Sequence, residues 1–149
     1  MKFISDDETV GRALFEPEWD PTVKRLTPSA FTRCNTSVTR LLSNEPTLIN
    51  YLKSDVENGK VKVQAVGLIT VSQIKSIGLE SETKIHFEVN EAITEKNPHH
   101  AEVLPFDDEA RQSLRKNVSK GVSRKITHAL NLLILDATGS VTERIESGS

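Results

Sequence analysis

Apolar and polar positions alternate most strictly at Lys84–Val89, where Lys84, His86 and Glu88 interleave with Ile85, Phe87 and Val89. A period of two predicts a strand with one wet face. Val61 to Thr70 places Val61, Val63 and Ala65 before the almost continuous run Val66, Leu68, Ile69, which predicts a strand buried on both faces. Leu26–Arg33 and Ser37–Leu42 carry Thr, Val and Phe at spacings that suit short extended segments. Ala101–Leu104 and Val141–Ile145 read as further strands, Lys2–Ile4 as a short first one, and Val10–Phe15 as strand or helix.

The helical period appears at Pro46–Glu57, where Leu48, Ile49, Leu52 and Val56 fall on one face. Asn44 is its expected cap, Pro46 fits the first turn, and Asn58-Gly59 supplies the stop. Ser72–Ile77 predicts a short helix closed by Gly78. Asp107-Asp108-Glu109 is expected to open a third helix, at the positive end that favours carboxylates. That helix would run to about Lys116, or through Gly121 to about Leu133. Pro17 and Pro21 make residues 16–21 a loop, with Trp19 as a lid over a core edge. Glu91–Pro98 is a polar connection. The order β-β-β-α-β-α-β-β-α-β predicts one α+β domain over residues 1–149, a mixed, mostly antiparallel sheet with about three helices. A chain of 149 residues suits one such domain.

Composition narrows the partners. With 19 basic and 21 acidic residues the net charge is −2, so bulk charge draws the chain neither to nucleic acid nor to an anionic membrane. Aromatics are 5% of residues, too few for a base-stacking platform. Cys34 is the single cysteine, which excludes an intramolecular disulfide and a cysteine zinc cluster and suits a reducing compartment. The first residues turn acidic at once, and Leu130–Leu135 is far shorter than the roughly 20 residues of a membrane helix. A cytoplasmic protein with no membrane partner is expected. Glycine-rich phosphate loops and Gly-x-Ser-x-Gly elbows are missing from the sequence, and no cofactor is expected.

Three clusters could carry chemistry. In Asn97-Pro98-His99-His100-Ala101 the proline fixes an extended entry and adjacent strand residues face opposite ways. One imidazole at most can then serve a given pocket, as a general acid or base, and the spacings of a metal site are missing. Ser29 and Arg33, then Ser37 and Arg40, could form an anion site of guanidinium forks and hydroxyls. Extended, Ser37–Arg40 puts Arg40 on the apolar face with Val38, where it needs a partner or a ligand. An edge-strand arginine with its head in water explains it equally. Finally, Arg111, Arg115, Lys116, Lys120, Arg124 and Lys125 lie in a stretch with no acidic residue between Ala110 and Leu135. On a continuous helix Lys116, Lys120 and Arg124 would stack opposite Leu114, Val118, Val122 and Ile126, a stripe able to track phosphates. A solvated helix face accounts for the same run.

Several of these segments also resemble a group of small bacterial proteins of uncharacterised biochemistry. The likeness lies in Arg25–Phe31, in Ser37-Val38-Thr39-Arg40, in Val66–Leu79 ending Ile77-Gly78-Leu79, and in Asn97–Val103. It implies a single bacterial domain and favours His100 over His99. The function expected is binding of an anionic ligand, a nucleotide or nucleic-acid phosphate. Arg40 would neutralise charge, Ser37 would hydrogen-bond, and His100 would donate a proton or hydrogen bond. A non-catalytic protein-interaction module and an enzyme of nucleotides or nucleic acid, with His100 as acid/base, are the alternatives. Oligomeric state is left open.

Overall fold

A computed structural model describes residues 4–57 and 59–147. Seven strands form its main sheet: β1 (Thr9–Leu14), β4 (Thr36–Arg40), β5 (Ala65–Thr70), β6 (His86–Glu91), β7 (His100–Phe106), β8 (Asn131–Leu135) and β9 (Val141–Ile145). Their spatial order is β6-β7-β4-β1-β5-β8-β9, and every neighbouring pair is antiparallel. The short strands β2 (Trp19–Asp20) and β3 (Arg25–Leu26) pair separately. Helices α1 (Glu45–Val56), α2 (Val71–Glu80) and α3 (Lys120–Ala129) complete an α+β domain.

The pleat sorts the core onto the two sides of the sheet. Val10, Val38, Ile69, Val89 and Val103 join Val71 and Ile74 of α2 and Val122 and Ile126 of α3. Ala13, Val66, Leu68 and Leu133 join Leu48, Ile49 and Leu52 of α1. Thus α1 covers one face, while α2 and α3 cover the other. The fit under α1 is close: a Cβ on Gly11 would lie 2.9 Å from Leu48 Cδ2.

Helix α1 follows its sequence signals. Asn44 accepts from Thr47 N at 2.9 Å and Pro46 sits in the first turn. Of the expected stop, Asn58 lies outside the described residues, while Gly59 has φ +87°. The strand expected at Lys2–Ile4 also falls there except for Ile4, whose N–H donates to Val89 O at 3.0 Å. Val10–Phe15 resolves to the strand β1.

Elsewhere the boundaries move, for physical reasons. The strand expected from Val61 begins at Ala65, and Glu57 Oε2 takes the Val63 N–H instead of a ladder partner. Gly78 does not close α2; it lies inside it. A Cβ there would stand 2.4 Å from Ile85 O and 2.6 Å from Phe87 Cδ2, so glycine permits close approach to the segment entering β6. The true start signal is the capping box of Thr70 and Gln73. Of Leu26–Arg33, Leu26 ends β3 and Arg33 makes an isolated bridge, while residues 28–31 run through turns. Trp19 is 1% exposed and lies in a strand rather than a loop, packed with Leu14 and Ala65.

The largest departure is at residues 107–133. Residues 107–119 are not helical, and 131–135 are strand. Asp108 explains the first part: its carboxylate accepts from Gln112 N and Ser113 N, and Arg111 has φ +56°. A side chain that captures backbone N–H groups competes with the helix it was expected to start, and a left-handed residue ends it. Those same bonds, that to Ser113 foremost, hold the Asp108 carboxyl below the usual carboxylate range. The helix begins only at Ser119, which caps Val122 N.

Candidate functional site

The sequence candidates separate into two places on opposite faces. Register decides the first. Thr39 pairs with His100 and Ser37 with Glu102 across β4 and β7, so the Ser37, Thr39 and His100 side chains share the α1 face. There they line a cavity of about 230 Å³. Ala13, Val38, Leu52 and Val56 supply its apolar lining; Arg12, Asp55 and Thr94 add polar groups. The cavity exists because the β1–β4 ladder is short. It holds only the pairs Val10↔Arg40 and Gly11↔Thr39, against six between β1 and β5. Beyond Gly11 the strands part, and Ser37 O accepts from Arg12 Nη1 at 3.2 Å.

Asn97 organises this region. It is 0% exposed and its Oδ1 accepts from His99 N at 2.9 Å, which fixes the amide orientation. Nδ2 then donates to Thr39 Oγ1 at 2.8 Å and Asp55 Oδ2 at 2.7 Å. His100 Nδ1 lies 2.8 Å from Ala92 O; a carbonyl only accepts, so Nδ1 carries the proton and Nε2 is the acceptor nitrogen of the neutral ring. His99 meets the Tyr51 ring edge-on at 4.8 Å, so the two imidazoles do different work.

Arg40 does not line the cavity. Nε and Nη2 donate to the two oxygens of Glu8, each at 2.9 Å, and Nη1 donates to Glu91 at 3.1 Å. The bonds to Glu8 lead in raising its pKa. The arginine on the apolar face therefore has its partners, two carboxylates, and a third anion would meet their combined negative charge. Arg12 is the arginine that does line the cavity. It pairs with Glu18 at 3.6 Å, burial pushes its pKa down against that pairing, and its Nε is a buried donor with no partner. An arginine within Val10–Leu14 was the sequence signal for it. For Asp55 and Asn97 there was none, because only the fold brings them together.

Ser29 and Arg33 lie on the turns fastened to α3, although the Arg33 charge also reaches Arg12 and helps to lower its pKa. Ser29 Oγ lies 2.7 Å from Thr27 Oγ1. Phe31 N donates to the buried Ser123 Oγ of α3 at 2.9 Å, Val118 N donates to Thr32 O, and Arg33 bridges to Asn117. The 27–35 turns are thereby fastened to the start of α3, and Arg33 stands beside Lys116 in the backbone pairing.

Lys116 precedes α3, so it does not stack with Lys120 and Arg124 on one helix as expected, and Leu114 is half exposed. Within α3 itself Lys120, Arg124 and His128 recur every fourth residue, with Lys125 alongside. All four are exposed, while Val122, Ser123, Ile126 and Thr127 are buried. Arg111 and Arg115 are paired, with Glu88 and Asp107. Among the described residues, Arg33, Lys116, Lys120, Arg124 and Lys125 have no carboxylate partner. No group of three or more His, Cys, Asp or Glu able to hold a metal occurs among the described residues, and no helix there is long and apolar enough to cross a membrane.

Family models, curated proteins and solved structures give no match to this chain.

Proposed function

We propose that the protein binds the phosphate backbone of nucleic acid through Arg33, Lys116 and the exposed face of α3. One observation carries this: the basic side chains Arg12, Arg40, Lys75 and Arg111 about the sheet are bonded to carboxylates, whereas these five follow one another along α3 and the backbone bridge that leads into it, exposed and with no carboxylate partner among the described residues. A chain with more acids than bases could readily supply partners for them. Moreover, Lys120 opens a helix whose first turn holds no acid, where the macrodipole favours negative charge. Helix stability does not select a lysine there, but attraction of an anion does.

The contact would be to phosphates rather than bases. Among the described residues the exposed large apolar ones are Val23, Leu42, Leu79, Ile93 and Leu114, none of them aromatic, so these offer bases no stacking surface. The anion reading of Ser37, Arg40 and His100 gives way here, since Arg40 is held by two carboxylates and Asp55 faces the same cavity.

Fluorescence anisotropy with a labelled duplex tests the proposal. Affinity should fall with salt at a slope of roughly −0.9 per phosphate contacted, on the order of −3 to −4 in all. Changing Lys116, Lys120 and Arg124 together to Ala should flatten that slope by about 2 to 3. Equal binding and slope in the triple variant would remove nucleic acid as the ligand of this face.

A further inference from the structure

Independently of α3, the geometry points to a second ligand site: we propose that the cavity between α1 and the parted strands β1 and β4 binds a small primary amine that also carries an accepting oxygen, the chemistry of a free amino acid. Size sets the first limit. At about 230 Å³ the space falls below the roughly 300–1,000 Å³ of drug-sized sites, so the occupant is compact.

Charge sets the second limit. Arg12 faces Glu18 at 3.6 Å and also the charge of Arg33, so that end of the cavity suits an oxygen. Asp55 lines the other part with no basic partner among the described residues and suits an ammonium. Asp55 takes one hydrogen bond in the protein, from Asn97 at 2.7 Å. A carboxylate has about four lone-pair sites, so it can receive an ammonium while keeping that bond. The acceptor nitrogen of His100 is available to a second N–H proton.

The donors set the third. Thr39 is fully buried, accepts from Asn97, and has no acceptor for its own hydroxyl proton among the described residues. Ser37 lines the same space with a hydroxyl that makes no side-chain bond. Arg12 Nε is buried without a partner; such a donor stays desolvated and unsatisfied unless something accepts from it. An oxygen on the ligand would do so. The apolar lining of Ala13, Val38, Leu52 and Val56 leaves room for a short hydrocarbon side chain. Recognition of both ends of one molecule is thus written in groups the fold itself leaves unmatched.

Titration followed by ¹H–¹⁵N correlation spectra decides it, with the standard amino acids added singly, isobutylamine as the amine without an oxygen, and isobutyrate and inorganic phosphate as anions without an amine. At least one small apolar amino acid should shift the amides of Ala13, Thr39 and His100 saturably. Isobutylamine should bind more weakly, and the anions should not bind. Asp55→Asn keeps an acceptor for Asn97 yet loses the charge, and should weaken binding at least tenfold with the melting temperature held. Ser37→Ala, at an exposed side chain, should weaken it several-fold. No saturable shift with any amino acid, or isobutyrate or phosphate binding as well as the amines, would overturn the proposal.

Discussion

Arg40 and Arg124 are the same side chain in opposite circumstances. Arg40 lies within the sheet, 13% exposed, with a bidentate bond to Glu8 and a further bond to Glu91. Arg124 stands on the solvent face of α3 and forms no ion pair with a carboxylate of the described residues. A guanidinium taken out of water must be met by fixed acceptors or destabilise the fold, so Arg40 is a structural element. One left in water needs no partner, and its field reaches outward over about a Debye length. Charge in the sequence is therefore a poor guide to binding until its partners are known. What marks a surface for an anionic partner is the cation left without one.

The buried network should respond most. Asn97→Ala strands the buried Thr39 hydroxyl and the His99 N–H and takes one bond from Asp55, and should cost about 3 kcal/mol in urea unfolding. A loss under 1 kcal/mol would mean water replaces the amide. Arg40→Ala comes next, at about 2 kcal/mol, because it leaves Glu8 and Glu91 facing each other. The combined change Glu8→Gln, Arg40→Met, Glu91→Gln should recover most of that loss. If it does not, packing of the arginine stem rather than its charge holds the region.

The α3 face should behave in the opposite manner. Each of Lys120→Ala and Arg124→Ala should alter stability by no more than about 0.5 kcal/mol, while the anisotropy signal with duplex falls. An unfolding shift above 1 kcal/mol would return these residues to a structural role. The smallest effect concerns Asp108 and Asp136, both held below the usual carboxylate range, Asp108 chiefly by its bond from Ser113 and Asp136 chiefly by that from Thr138. Depressed folded values stabilise the protein fully above the unfolded value of about 3.9. That contribution disappears as pH falls through the folded values. Acid titration of Asp108→Asn should show a shallower loss of stability below pH 4 than the wild type; an identical curve would show that these turns do not contribute.

Much of the fold is legible where local chemistry acts alone. The Asn44 cap and Pro46 announce α1, and strict alternation announces β6. The stretch 107–133 misleads because one side chain, Asp108, binds backbone that a helix would have used, and because Leu130–Leu135 is apolar under either period. For the candidate site, Ser37 and His100 were recognisable as polar groups beside turns, and their meeting follows from a register that no local pattern specifies. Asp55 reads as one more polar residue of α1 until Asn97 reaches it across the fold.

The short pairing of β1 with β4 has a kinetic consequence. Two registered pairs join the wing β6-β7-β4 to the wing β1-β5-β8-β9, so the ladder is thinnest there. Sub-global opening should start at that hinge, with α1 lifting away as the wings swing. Amide exchange should then show two cooperative blocks of different protection, divided between Arg12 and Val38, with a small occupant of the gap drawing them toward one.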